Sequence, residues 1–143
     1  MSMFLLNSND VADTAMRWSR RVPALVGYGR AAIGVAHMVA PTRSNELLAG
    51  RDAAVPTTRA AARTFGVREI YIGGSVIAAL HLAPVAVRPL LRAGVAVDVW
   101  DTAAFALTAE LPRRTRVAGC AVAAGFAVAG VFADLCIVGA DGR

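Results

Sequence analysis

The chain has no lysine; all 15 of its basic side chains are arginine. Charged residues of either sign make up only 17% of 143 positions, against about 25% in a soluble domain. Hydrophobic residues reach 57% where about 45–50% is usual, and mean hydropathy is +0.54. A small soluble protein needs proportionately more polar surface, so this balance argues against a water-soluble globule and for a lipid environment. Cysteine is nearly absent as well. Cys120 and Cys136 lie 16 positions apart on what reads as one helix, a rise of about 24 Å that no disulfide spans. No CxxC pair occurs, so both read as buried thiols. Neither His37 nor His81 has an HxxxH or HxxE companion, so no metal is expected, and no cofactor is implied. The opening "MSMFLLNSNDVADT" lacks early positive charge and a long apolar core, so no secretory signal peptide is expected.

What is present is arginine at the edges of apolar segments. The net charge is +5, and its carriers cluster as Arg17, Arg20 and Arg21, then Arg88 and Arg92, then Arg113, Arg114 and Arg116. Nucleic-acid binding would gather them on one face with aromatics between them. Edge placement instead suits headgroups, making membrane lipids the expected partner and excluding nucleic acid.

At 143 residues one integral membrane domain is expected. "NDVADTAMRWSRRV" begins with the capping types Asn9 and Asp10, and Trp18 sits beside three arginines, which predicts a short N-terminal interfacial helix before residue 22. Four spans follow, at about 22–40, 66–82, 90–109 and 117–138, each near the length that crosses about 30 Å of hydrocarbon. The stretch 42–64 reads as a polar loop with a short surface helix around "TTRAAARTF". Short connections predict an all-α, up-down-up-down four-helix transmembrane bundle in the plasma membrane. The arginine count is nearly equal on the two sides and leaves orientation open.

Two carboxylates in "GVAVDVWDTAAFALTA" disturb this apolar pattern. A mid-span Asp costs about 2.5–3.5 kcal/mol on an insertion scale, while a good apolar residue returns about 0.3–0.6 kcal/mol. The third span would insert poorly alone, so Asp98 and Asp101 are expected to face inward on a stripe shared with Thr102, Phe105 and Thr108. Counting residues from the span ends puts Arg30 and Asp98 both about 12 Å below one surface. An Arg30–Asp98 pair is therefore expected, with Asp101 or Asp134 adjacent. The same count places His37, Arg68 and Glu69 together near the opposite mouth. Arg68, Tyr71 and Ser75 share one stripe beside Gly73 and Gly74, where close helix contact or a ligand passing over bare backbone is expected. "GCAVAAGFAVAGVFAD" offers a small-residue face for helix packing, extendable to a homodimer or a larger membrane complex.

The patterns "RAAIGVAHMVAP", "RTFGVREIYIGG" and "DVWDTAAF", over about residues 23–135, resemble small four-span bacterial membrane proteins of the loosely DoxX-like kind. The resemblance implies a four-helix membrane bundle. It implies no reaction and assigns no catalytic residue.

Two functions follow from the polar core formed by Arg30, His37, Arg68, Glu69, Tyr71, Asp98, Asp101 and Asp134. It binds an apolar or amphipathic, lipid-like ligand or supports a membrane complex; alternatively, it is a membrane enzyme, an isomerase, cyclase or epoxide-opening hydrolase, with acid–base carboxylates. Pairing that merely fixes helix register is the competing structural reading. An enclosed pocket reaching Asp98 and Asp101 distinguishes them.

Overall fold

Proline marks the helix starts. Pro41 and Pro56 each open a helix, where the missing N–H has no intrahelical partner to lose. In the computed structural model, which describes residues 8–141, the chain is all helical, and the described residues contain no strand. Five α-helices follow in order: α1 Ser8–Val39, α2 Pro41–Ala49, α3 Pro56–Leu82, α4 Val87–Leu107 and α5 Arg113–Asp141. Short 3-10 segments at Gly50–Ala54 and Pro84–Ala86 connect α2 to α3 and α3 to α4.

Two sequence expectations are corrected. The interfacial helix and the first span are one helix of 32 residues, with Pro23 inside it. Proline there removes a single backbone hydrogen bond, and Pro23 is fully buried, so packing carries the helix through. Any capping by Asn9 and Asp10 lies outside the described side chains. The expected loop 42–64 is also helical nearly throughout. Its prolines are helix starters, and Gly50 makes the turn between α2 and the 3-10 segment at φ 54°.

Two stretches, Met16–Val39 of α1 and Arg113–Gly139 of α5, are long and apolar enough to cross a membrane. Helices α3 and α4 are of comparable length but carry Arg59, Arg63, Arg68 and Glu69, and Arg88, Arg92, Asp98 and Asp101, respectively.

Helix α1 packs chiefly on α3, α4 on α5, and α1 also on α5. Glycine sets the first contact. Gly27 meets Gly73 while Gly34 meets Gly66, so α1 and α3 run antiparallel with their backbones touching. A Cβ on Gly34 would fall 2.5 Å from the Gly66 carbonyl oxygen. Gly73 takes the close-contact role expected of the glycine pair; nothing lies within 4 Å of a Cβ on Gly74. Helix α2 lies across the end of the bundle, touching α1, α3 and α5.

An apolar core of Val22, Val76, Ala79, Val87, Leu91 and Ala133 fills the other end. The middle reverses the usual pattern of a soluble protein. Arg30, Glu69 and Asp98 are at most 3% exposed, while Leu25, Tyr71, Trp100, Leu107 and Val128 on the outside are each more than 65% exposed. Charged side chains almost never sit fully inside unless paired, and here large apolar ones face outward on all four long helices.

Candidate functional site

The buried charges form one ladder across three helices. Arg30 on α1 donates from Nη1 to Glu69 Oε2 of α3 at 2.6 Å, and from Nη2 to Asp98 Oδ2 of α4. Arg68, one residue before Glu69, donates to Glu69 Oε1 at 3.3 Å. It also grips Asp101 through two bonds, Nη1 to Oδ1 at 3.0 Å and Nη2 to Oδ2 at 2.5 Å. The order is Asp98, Arg30, Glu69, Arg68, Asp101. Planar guanidinium groups suit such forked pairing.

Each cation is also backed by an aromatic face. The Arg30 Cζ lies 4.8 Å from the Phe126 ring centre, and the Arg68 Cζ lies 4.9 Å from that of Phe65. Both contacts fall within cation–π range. Gly94 of α4 packs closely on α3, since a Cβ there would lie 3.3 Å from Ile72 Cγ2. His37 is buried beside this group. Its Nδ1 lies 2.9 Å from the Ile33 carbonyl oxygen, and its ring meets Phe65 edge-on at 4.9 Å.

Three carboxylates face two guanidiniums, so the ladder carries one excess formal negative charge. Glu69 and Asp101 have both oxygens engaged. Asp98 does not: among the described residues its Oδ1 has no hydrogen-bond partner, although the residue is only 3% exposed. The Arg68 Nε is a buried donor without a partner. Arg59 Nε, outside the ladder, is a second such donor among the described residues, and buried donors without a partner are uncommon inside proteins and favour a water or a ligand group nearby.

A cavity of about 450 Å³ reaches this ladder. Arg68, Glu69, Asp98 and Asp101 supply its polar part. Phe65, Phe105, Val122 and Phe126 supply apolar wall, and Asn45 and Leu48 of α2 border it at the end of the bundle. Ala62 and Ala123 also line it with small side chains, while Gly119 lets the Phe105 ring pack on α5, a Cβ there falling 2.4 Å from the ring. A cavity of a few hundred Å³, mostly apolar with a few convergent polar groups, has the form of a small-molecule site.

The structure separates some residues that the sequence grouped. Glu69 is not at the mouth opposite Arg30; it is the residue bonded to Arg30, because α3 begins ten residues before the expected span start and Glu69 falls mid-helix. Asp101 pairs with Arg68 rather than with Arg30. Asp134 is away from the ladder, held by Arg88 Nε at 3.1 Å and by Arg92 Nη2 at 3.1 Å. Tyr71 is 75% exposed on the outer face and does not line the cavity, while its carbonyl accepts from the Ser75 hydroxyl. His81 is exposed. Phe65, Phe126 and the α2 residues were not anticipated as part of the site. A phenylalanine within the small-residue run of α5 was the one available signal for Phe126.

Among the described residues, no group of three or more His, Cys, Asp or Glu side chains is placed to hold a metal ion. Comparison with protein-family models, curated proteins and solved structures gives no match, so the geometry alone supports a reading. That geometry offers an acceptor, Asp98 Oδ1, on a carboxylate held by Arg30 and lining a chamber whose wall is mostly apolar.

Proposed function

We propose that this chain is a four-span membrane protein, with α1, α3, α4 and α5 crossing the bilayer, that binds an apolar or amphipathic molecule in the cavity beside Asp98. The cavity itself carries the proposal. Ion pairs that only fixed helix register would require no chamber beside them, yet space of about 450 Å³ reaches the carboxylates. The bound molecule places a hydroxyl or amine donor on Asp98 Oδ1 and its hydrocarbon part against Phe65, Phe105 and Phe126. Outward apolar side chains on all four long helices support the four-span topology, since charges on α3 and α4 are turned inward and paired.

A second reading rests on the same free oxygen. A carboxylate held on one side and open on the other is placed to accept a proton from water or from a substrate, as a general base does. On that reading the chain is a membrane isomerase, cyclase or epoxide-opening hydrolase. The DoxX-like resemblance favours neither.

Native mass spectrometry of protein extracted with its lipids tests the binding proposal. A small molecule should co-purify with the wild type and be lost from Ala123→Leu, which fills the cavity from α5. Turnover of the retained molecule would select the enzyme reading. Identical small-molecule content in wild type and Ala123→Leu, with both folded, would refute occupancy of this cavity.

A further inference from the structure

A second cavity, of about 560 Å³, opens at the end of the bundle remote from the ion ladder. Arg20 of α1 and Arg88 and Arg92 of α4 line it, together with Leu80, Val85 and Ile137. Asp134 engages Nε of Arg88, and Nε and Nη2 of Arg92. That leaves the two terminal nitrogens of Arg88, Nη1 of Arg92 and the whole Arg20 guanidinium without a hydrogen-bond partner among the described residues. Three cations meet one carboxylate. The carboxylate orients two of the cations but cannot neutralise all three.

We propose that this cavity is a phosphate-binding site that takes the headgroup of an anionic phospholipid. Guanidinium groups present paired donors that match two phosphate oxygens, and Asp134 fixes Arg88 and Arg92 before the phosphate arrives. Apart from Ser19, whose hydroxyl donates to the Met16 carbonyl oxygen, the remaining wall is apolar. Leu80 and Ile137 are half-buried and Val85 is almost fully exposed, so an acyl chain leaving the headgroup meets hydrocarbon side chains rather than charge. Basic pockets between membrane helices recognise acidic headgroups by this combination. The ladder in the middle of the bundle differs in sign: it carries excess negative charge and would repel such a group.

The test uses the full chain in detergent micelles doped with phosphatidylglycerol or phosphatidylcholine, read by native mass spectrometry. Phosphatidylglycerol adducts should exceed phosphatidylcholine adducts. Arg20→Gln, which breaks no ion pair among the described residues, should weaken the phosphatidylglycerol adduct about five-fold and leave the unfolding midpoint unchanged. Inorganic phosphate added at millimolar concentration separates the two sources of the anion. Retention of phosphatidylglycerol against it supports the lipid headgroup, whereas displacement at parity would assign the site to free phosphate and overturn the lipid as occupant. Equal adducts with both lipids, or an undiminished phosphatidylglycerol signal in both Arg20→Gln and Arg92→Gln, would overturn the site altogether.

Discussion

Replacing Arg30 by methionine and Asp98 by asparagine should have unequal effects, although the two side chains touch. Arg30 serves two carboxylates, Glu69 and Asp98. Its loss leaves Glu69 with Arg68 at 3.3 Å, but leaves Asp98 with no cation in the ladder. Stranding one member of a buried pair costs about 3–5 kcal/mol. Removing the Asp98 charge is different, because Arg30 keeps Glu69 at 2.6 Å and the Phe126 ring. The ladder then holds two cations and two carboxylates, so the loss of one charged hydrogen bond, about 1.5–3 kcal/mol, is offset by the removal of excess charge. We expect Asp98→Asn to cost less than about 2 kcal/mol, well under the cost of breaking a pair from its cation side. Adding Asp98→Asn to Arg30→Met should restore about 1–3 kcal/mol, the coupling typical of contacting residues. Unfolding by sodium dodecyl sulfate in mixed micelles, followed by far-ultraviolet circular dichroism, reads all three variants. Equal losses for the two single variants, or a double variant as unstable as their sum, would refute the shared-cation account.

Glycine substitutions should split by location. Gly34→Ala forces a methyl group against the Gly66 carbonyl and should cost about 1–3 kcal/mol or more, whereas Gly74→Ala meets open space and should gain up to about 1 kcal/mol from helix propensity; the same detergent titration compares them, and equal effects would contradict the α1–α3 contact. Trp100, the fourteenth of the 21 residues of α4, is 72% exposed. In a Trp18→Phe background its fluorescence should be quenched strongly by lipids brominated deep in the acyl chain, and an unquenched signal would contradict the proposed spanning of α4.

Legibility in the sequence depended on whether helix ends could be found. Arg30 and Asp98 were matched by counting from span ends, and this worked because the two helices run in the same direction through the bundle. Glu69 failed the same count. Hydropathy alone starts its span at residue 66, whereas α3 starts at Pro56 and Glu69 is the fourteenth of 27 residues. Arg59 and Arg63 obscured the first turns, although Pro56 followed by threonine and alanine was a helix start in plain view. Asp134 was misassigned for another reason. Depth alone placed it near Arg30, but Arg88 and Arg92 lie four residues apart on one face of α4 and hold it first. The cavity had no sequence signal of its own. It depends on α2 folding over the bundle end and on alanine at positions 62 and 123, where larger residues would have filled the space.

If α1, α3, α4 and α5 cross the bilayer as proposed, the touching glycines of α1 and α3 also bear on how the chain enters it during synthesis. Once those two helices have met, Arg30 and Arg68 wait inside the pair with Glu69 already shared between them. Helix α4 emerges later, carrying two acids that hydrocarbon would reject, and finds its counterions in place. In that proposed topology the first hairpin acts as the receptor for the second, and a chain deprived of the early contact should stall with α4 outside the membrane.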